Sequence, residues 1–283
     1  MNILKNVQIH SAEALPILLD VYYKTTRKPK PLVVFCHGFK TFKDWGPYDL
    51  IAKEFASNDF AFLKFSFSHS GTTVEKPDMI TDTENFGNST IQTEIDDIGS
   101  VLDWIGHNTE LPLEEINTEK IYVVGHSRGG SIAILKAAMD ERINMLATWS
   151  AFTDFGEIWE KYDVKKWEEL GVSWSEDKTT GIMLPLYYKN YQNYLDNREL
   201  FSIKAAIEKL KIPMLVVHGI EDDKVAFENA LQFKKWNNSF EMSLLPNATH
   251  NFGCYHPYNK TKLPFDTKIA IKDSVDFFRG KFV

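Results

Sequence analysis

Gly125-His126-Ser127-Arg128-Gly129 follows directly on the apolar run Ile121-Tyr122-Val123-Val124 and leads into Ser131-Ile132-Ala133-Ile134-Leu135-Lys136-Ala137-Ala138. The first run reads as a buried strand and the second as a helix. Between them, G-x-S-x-G describes a turn so tight that the serine is forced into an unusual backbone conformation. The glycines stand where side chains would collide with the neighbouring strand and helix. The expectation is a hydroxyl held out at the carboxyl end of a sheet. The competing reading is an ordinary strand-to-helix turn whose serine caps the helix.

Working outward, 7–10 and 16–23 read as two opening strands. Leu32-Val33-Val34-Phe35-Cys36 is a continuous apolar run, as expected of a strand covered on both faces, and it ends in His37-Gly38-Phe39. Helical periodicity covers 47–57, a strand follows at 60–67, and 68–86 reads as an irregular polar loop. Ile91, Ile95, Ile98, Leu102 and Ile105 form one stripe of a helix over 90–106. Further strands are expected at 142–149, 211–218 and 240–245, with helices at 225–236 and 267–278. Alternating strands and helices predict a mostly parallel, doubly wound sheet within one domain, 1–283. The interval 151–206 breaks that rhythm. It is too long for one crossover and is rich in aromatic residues, among them Phe155, Trp159, Tyr162, Trp167, Trp174, Tyr188 and Tyr191. It reads as a helical cap inserted above the sheet. Its rings either wall an apolar substrate pocket or pack a small core of their own.

Composition limits the function classes. Hydrophobic residues are 43% and charged residues 25% of the chain, ordinary for a globular protein. With 32 Lys and Arg against 39 Asp and Glu the net charge is −7, which argues against nucleic-acid or anionic-membrane binding. No stretch approaches the ~20 apolar residues of a membrane helix. Met1-Asn2-Ile3-Leu4-Lys5-Asn6 has no signal-peptide pattern. With Cys36 and Cys254 the only cysteines, the expectation is a cytoplasmic protein with unpaired thiols. Neither cysteine has the context of Ser127 as a nucleophile. G-x-G-x-x-G, P-loop and H-E-x-x-H patterns are absent, so no cofactor or metal is implied.

A serine hydroxyl needs a base to take its proton, and the base needs a carboxylate to orient it. If Ser127 is such a nucleophile, an acid and a histidine should follow it, each after a later strand. After the strand ending near Val217 the chain reads His218-Gly219-Ile220-Glu221-Asp222-Asp223-Lys224-Val225, with three carboxylates in a row. Asp154, one strand earlier, is a further candidate. After the last strand comes Pro246-Asn247-Ala248-Thr249-His250-Asn251-Phe252, which puts His250 where the base is needed. His256 stands second; His10, His69 and His107 lack such a position. Negative charge developing on a carbonyl oxygen needs donors. The backbone N–H of Arg128 is one. Phe39, after the strand at 32–36, supplies the other, with Lys40 as its alternative. The Arg128 side chain itself is expected on the surface or in an ion pair, and His37 is expected to be structural.

Together HGF, GHSRGG, HGIEDDKV and ATHNF resemble the α/β-hydrolase superfamily, over nearly the whole chain. Within it the chain is similar to serine esterases grouped with dienelactone hydrolases, cinnamoyl or feruloyl esterases and prolyl-oligopeptidase-like hydrolases. The H-G-x-x-D-x-x-V pattern puts Asp222 at the acid position, ahead of Asp223, with Glu221 solvated. The resemblance implies Ser127, Asp222 and His250 as a triad, and Phe39 and Arg128 as oxyanion donors. It implies hydrolysis of a small-molecule carboxylic ester, and the ring-rich insertion suits an apolar or aromatic moiety in that ester. A dienelactone hydrolase proper uses a cysteine, so the serine argues against that activity. A small peptidase or a thioesterase would use the same triad. A non-catalytic binding protein of this fold would normally lack one member, and none is missing here.

Overall fold

The computed structural model describes residues 1–107 and 110–282. Its strands are β1 (Asn2–His10), β2 (Pro16–Tyr23), β3 (Lys30–Cys36), β4 (Ala61–Phe65), β5 (Ile116–His126), β6 (Ile143–Trp149), β7 (Val172–Glu176), β8 (Met183–Tyr187), β9 (Met214–Gly219) and β10 (Glu241–Leu245). The helices are α1 (Tyr48–Ser57), α2 (Thr83–Gly87), α3 (Ile91–His107), α4 (Arg128–Ala137), α5 (Gly156–Trp159), α6 (Val164–Leu170), α7 (Lys189–Asp196), α8 (Ile203–Lys209), α9 (Glu228–Trp236) and α10 (Phe265–Phe278). Eight strands form one sheet in the order β1-β2-β4-β3-β5-β6-β9-β10. β1 and β2 join antiparallel, and every pair from β4 to β10 is parallel. This is the mostly parallel sheet that the strand and helix rhythm predicts, and the α/β-hydrolase fold that the motif resemblance implies.

The central strands alternate between two cores. Leu32, Val34 and Cys36 of β3 enter the layer shared with α3, α4, α8 and α9, whereas Val33 and Phe35 enter the layer shared with α1 and α10. Both faces of β3 are therefore dry, which explains its unbroken apolar sequence. At the sheet's antiparallel end, Lys43 and Lys64 are buried with Asp20, and both reach Asp44 at 2.6 Å. This is the site where three carboxylates, Asp20, Asp44 and Asp49, approach one another, and the two ammonium groups already fill it. Among the described residues no helix is long and apolar enough to cross a membrane.

Two local readings change. The loop expected at 68–86 holds part of a short helix, α2, capped by the Asp82 carboxylate accepting from the Asn85 N–H. The insertion is not purely helical. Between α6 and α7 it carries the antiparallel hairpin β7–β8, with Trp174 opposite Pro185. Leu184, Pro185 and Leu186 are buried in a row, and the turn closed by Thr180 and Gly181 on Asp177 joins the two strands. Continuous burial and aromatic density leave no period-two signal in the sequence.

Candidate active site

The turn after β5 has the strain its sequence predicts. Ser127 lies at φ 53° and ψ −124°, a conformation that costs roughly 1–3 kcal/mol and persists only where the surroundings enforce it. Close packing does the enforcing. A Cβ at Gly125 would lie 2.5 Å from the Gly130 Cα, and one at Gly129 would lie 2.3 Å from the His37 carbonyl oxygen. Ser127 sits at the N-terminus of α4, yet its hydroxyl makes no cap hydrogen bond. The capping-serine reading therefore fails. The hydroxyl instead meets His250 Nε2 at 2.9 Å.

His250 reaches this position from the loop after β10, and Asp222 from the turn after β9. His250 Nδ1 lies 3.0 and 2.9 Å from the two Asp222 carboxylate oxygens. A carboxylate at Nδ1 holds the imidazole proton there and leaves Nε2 as an acceptor for the Ser127 O–H. The Asp222 carboxylate is fully buried and also accepts from the N–H groups of Lys224 and Val225, each at 2.9 Å. Burial pushes its pKa upward, but hydrogen bonds from His218 and His250 outweigh that and hold it well below the usual carboxylate range. It is an anion at neutral pH.

The other sequence candidates separate cleanly. Asp223 is exposed and pairs with Lys224 at 2.8 Å; Glu221 is exposed. Asp154 accepts from the Gly156 N–H and does not reach His250. His256 accepts at Nδ1 from the Gly46 N–H, beside Trp45. His10 and His107 are exposed, and His69 is engaged with Ser68. His37 is structural: Nδ1 donates to the Gly38 carbonyl and Nε2 accepts from the Phe67 N–H. Cys36 and Cys254 are unpaired. Burial pushes the Cys254 thiol up to about 11 and Cys36 higher still, so both are protonated and unreactive.

Two histidines with supporting places escaped the sequence reading. His218 Nε2 donates to the Val225 carbonyl at 2.9 Å and lies 3.3 Å from Asp222, bracing the acid turn. His126 Nε2 donates to the His250 carbonyl at 2.9 Å and so fixes the backbone of the base. Burial, then the neighbouring His250, pushes His126 down to about 3, which keeps it neutral. Their places inside H-G-x-x-D and G-H-S were the available signal.

The loop that carries Phe39 and Lys40 begins beside the serine. Gly38 runs so close that a Cβ there would sit 3.3 Å from the Ser127 Cβ. Among the described residues, the N–H groups of Phe39, Lys40 and Arg128 donate to no protein acceptor. The Lys40 side chain is tied to the hairpin, donating to Ser175 Oγ at 2.7 Å and to the Glu176 carbonyl at 2.6 Å. The Arg128 side chain is not on the surface: it is 5% exposed, with Nε donating to Glu94. Burial raises Glu94, and the Arg128 charge opposes that. Glu94 lies on α3 beside the apolar stripe, among Asp96 and Asp97, so nothing in the sequence singles it out.

Most rings of the insertion pack one another. Trp167 is buried, donates from Nε1 to the Leu186 carbonyl at 2.7 Å, and lies 5.2–6.0 Å from Trp159, Tyr162, Tyr188 and Tyr191. They pack on one another within the buried cluster that also holds Phe35, Tyr48 and Trp149 of the main sheet's layer, the packing role their sequence allowed.

Such a sheet, with a strained serine on its central strand, defines a serine hydrolase of the α/β-hydrolase fold. More particularly, the chain belongs to the prolyl oligopeptidase family, whose model matches residues 85–264. No curated protein matches it by sequence. Among solved structures it is similar to Est1E from Butyrivibrio proteoclasticus bound to ferulic acid, at 19% identity and TM-score 0.73 over 98% of both chains. It is also similar to the α/β hydrolase GrgF from Penicillium sp. sh18, at 14% identity and TM-score 0.74 over 100% of this chain and 99% of that one. A puromycin-hydrolyzing peptidase of Mycobacterium tuberculosis aligns with 99% of this chain but 39% of its own, at 12% identity and TM-score 0.68. At these identities the likeness carries the fold.

Proposed function

We propose that the chain hydrolyses small-molecule carboxylic esters through an acyl-enzyme on Ser127. The observation that carries this reading is the continuous relay from the Ser127 hydroxyl through His250 to a buried, ionised Asp222. His250 takes the hydroxyl proton as Ser127 attacks the carbonyl, and returns it to the leaving alcohol. Asp222 holds the tautomer and stabilises the imidazolium. Water, activated by His250, then releases the acid. The unpaired N–H groups of Phe39 and Arg128 receive the oxyanion, each worth about 3 kcal/mol in the transition state. The insertion at 151–206 serves as the cap of a single domain, and the half-exposed Phe39 ring offers the substrate an apolar wall. No step requires a metal or an organic cofactor. The unpaired thiols suit a reducing compartment such as the cytoplasm.

Whole-length likeness to Est1E favours an ester. The family match favours a second reading, a small peptidase. One panel separates them: fluorophosphonate labelling, with turnover of short-chain, long-chain and aryl esters beside aminoacyl amides. We expect labelling and ester turnover, both lost in Ser127→Ala. Amide turnover without ester turnover would establish the peptidase, and an unlabelled wild type would point to a binding protein.

A further inference from the structure

The guanidinium beside the nucleophile has donors to spare. Both Glu94 carboxylate oxygens converge on a single Arg128 atom, Nε, at 3.0 and 2.7 Å. Among the described residues, neither Nη amino group donates to a protein acceptor. Both keep a contact with solvent, since neither is among the enclosed side-chain atoms lacking a partner. The Phe39 and Phe155 rings lie 5.9 and 5.8 Å from the guanidinium carbon and steady it without using those N–H groups. Arg128 adjoins Ser127, and Phe39 supplies the other proposed oxyanion donor, so the open edge of the fork borders the substrate's place. A second cation stands nearby on the insertion. Lys161 lies over the Tyr162 ring at 5.4 Å and, among the described residues, has no carboxylate within 4 Å. Burial, then the Lys224 charge, depresses it; burial first, with Lys161 behind an opposing Asp177, depresses Lys40.

We infer that the Nη edge of Arg128 binds a carboxylate carried by the substrate, which makes the preferred substrate an anionic ester. A planar fork held at Nε and open at Nη matches two carboxylate oxygens. Glu94 acts as a positioning residue: it fixes the fork and moderates its charge. The inference rests on the ester reading for its substrate, but its test does not depend on turnover.

The test measures binding to Ser127→Ala by calorimetry, with matched anionic and neutral esters. Mono-4-nitrophenyl glutarate against 4-nitrophenyl pentanoate probes the acid half, and 3-carboxyphenyl butyrate against phenyl butyrate probes the alcohol half. In at least one pair the anion should bind about tenfold tighter or more, as expected of a charge-assisted hydrogen bond. Adding Arg128→Gln should erase that preference, Arg128→Lys should retain part of it, and Glu94→Gln should enlarge it. A merely structural Arg128–Glu94 pair would weaken both members of each pair alike in both variants. Equal affinities in both pairs, or a preference that survives Arg128→Gln, would overturn the inference. Turnover by the wild type separates the two claims. Hydrolysis of neutral esters without anion preference leaves the ester reading intact and removes this one. Arg128-dependent anion binding without any ester turnover does the reverse.

Discussion

Asp222 and Asp223 are adjacent in sequence and opposite in environment. One carboxylate is sealed against His250 and two backbone N–H groups; the other is in solvent beside Lys224. Asp222→Asn should preserve the fold yet lower kcat by about 10⁴, because the amide no longer holds the required imidazole tautomer. Asp223→Asn should leave ester kinetics within about twofold, as surface changes away from such features usually do. Steady-state assays of the two variants side by side check both. Gly129 makes a steric prediction. With the His37 and Cys36 carbonyl oxygens 2.3 and 2.4 Å from any added Cβ, Gly129→Ala should destabilise by more than about 4 kcal/mol, in the exceptional range for one substitution. Denaturant unfolding against Ala133→Gly, a mild control on the same helix, would show it. At this scale the sequence was most readable, because a G-x-S-x-G turn makes demands that the acid turn at 221–223 and His250 meet after the right strands. It was least readable where a side chain's neighbours come from distant segments. Nothing local to Arg128 reveals that Glu94, 34 residues away, draws it inside.

The insertion at 151–206 shows how far element-level reading extends. The central strands and helices of the main sheet follow from unbroken apolar runs and from one-sided stripes, whereas β1, read at 7–10, begins at Asn2, and α8 went unread. In the insertion, aromatic residues crowd helices and hairpin alike, so their periodicity is blurred and the two strands are lost. Trp167 holds this unit together by both packing and its hydrogen bond to Leu186. Trp167→Ala should cost about 3–5 kcal/mol locally, as truncation of a buried aromatic does. Because the ring partners of Trp167 all lie within the insertion, the loss should appear as protease cleavage within 151–206 while the sheet keeps its cooperative unfolding. Cleavage spread over the whole chain would show that the unit is not separable in this way.

Across the molecule, one buried carboxylate sets a pH dependence. Asp97 on α3 is buried and accepts from Ser68, on the loop after β4, through N–H and Oγ at 2.8 and 2.9 Å. Burial pushes it from 3.8 up to about 7, with the Ser68 hydrogen bonds opposing the shift. A raised folded-state pKa means that the folded protein keeps a proton the unfolded chain has released. Stability should therefore fall as pH rises from about 4 to about 7, by an amount on the order of a few kcal/mol. The difference in melting temperature between wild type and Asp97→Asn should narrow toward pH 4 and widen, in favour of the variant, by pH 8. A difference independent of pH would contradict it. The same two-layered architecture that buries Asp97 also holds three separate loops, after β5, β9 and β10, at one end of the sheet. The central claim is that these loops make Ser127 a nucleophile. Its most direct measurement is peptide mapping by mass spectrometry after brief exposure to a fluorophosphonate. The expected result is a single adduct on Ser127 that is lost in His250→Ala; no adduct, or one on another residue, would contradict it.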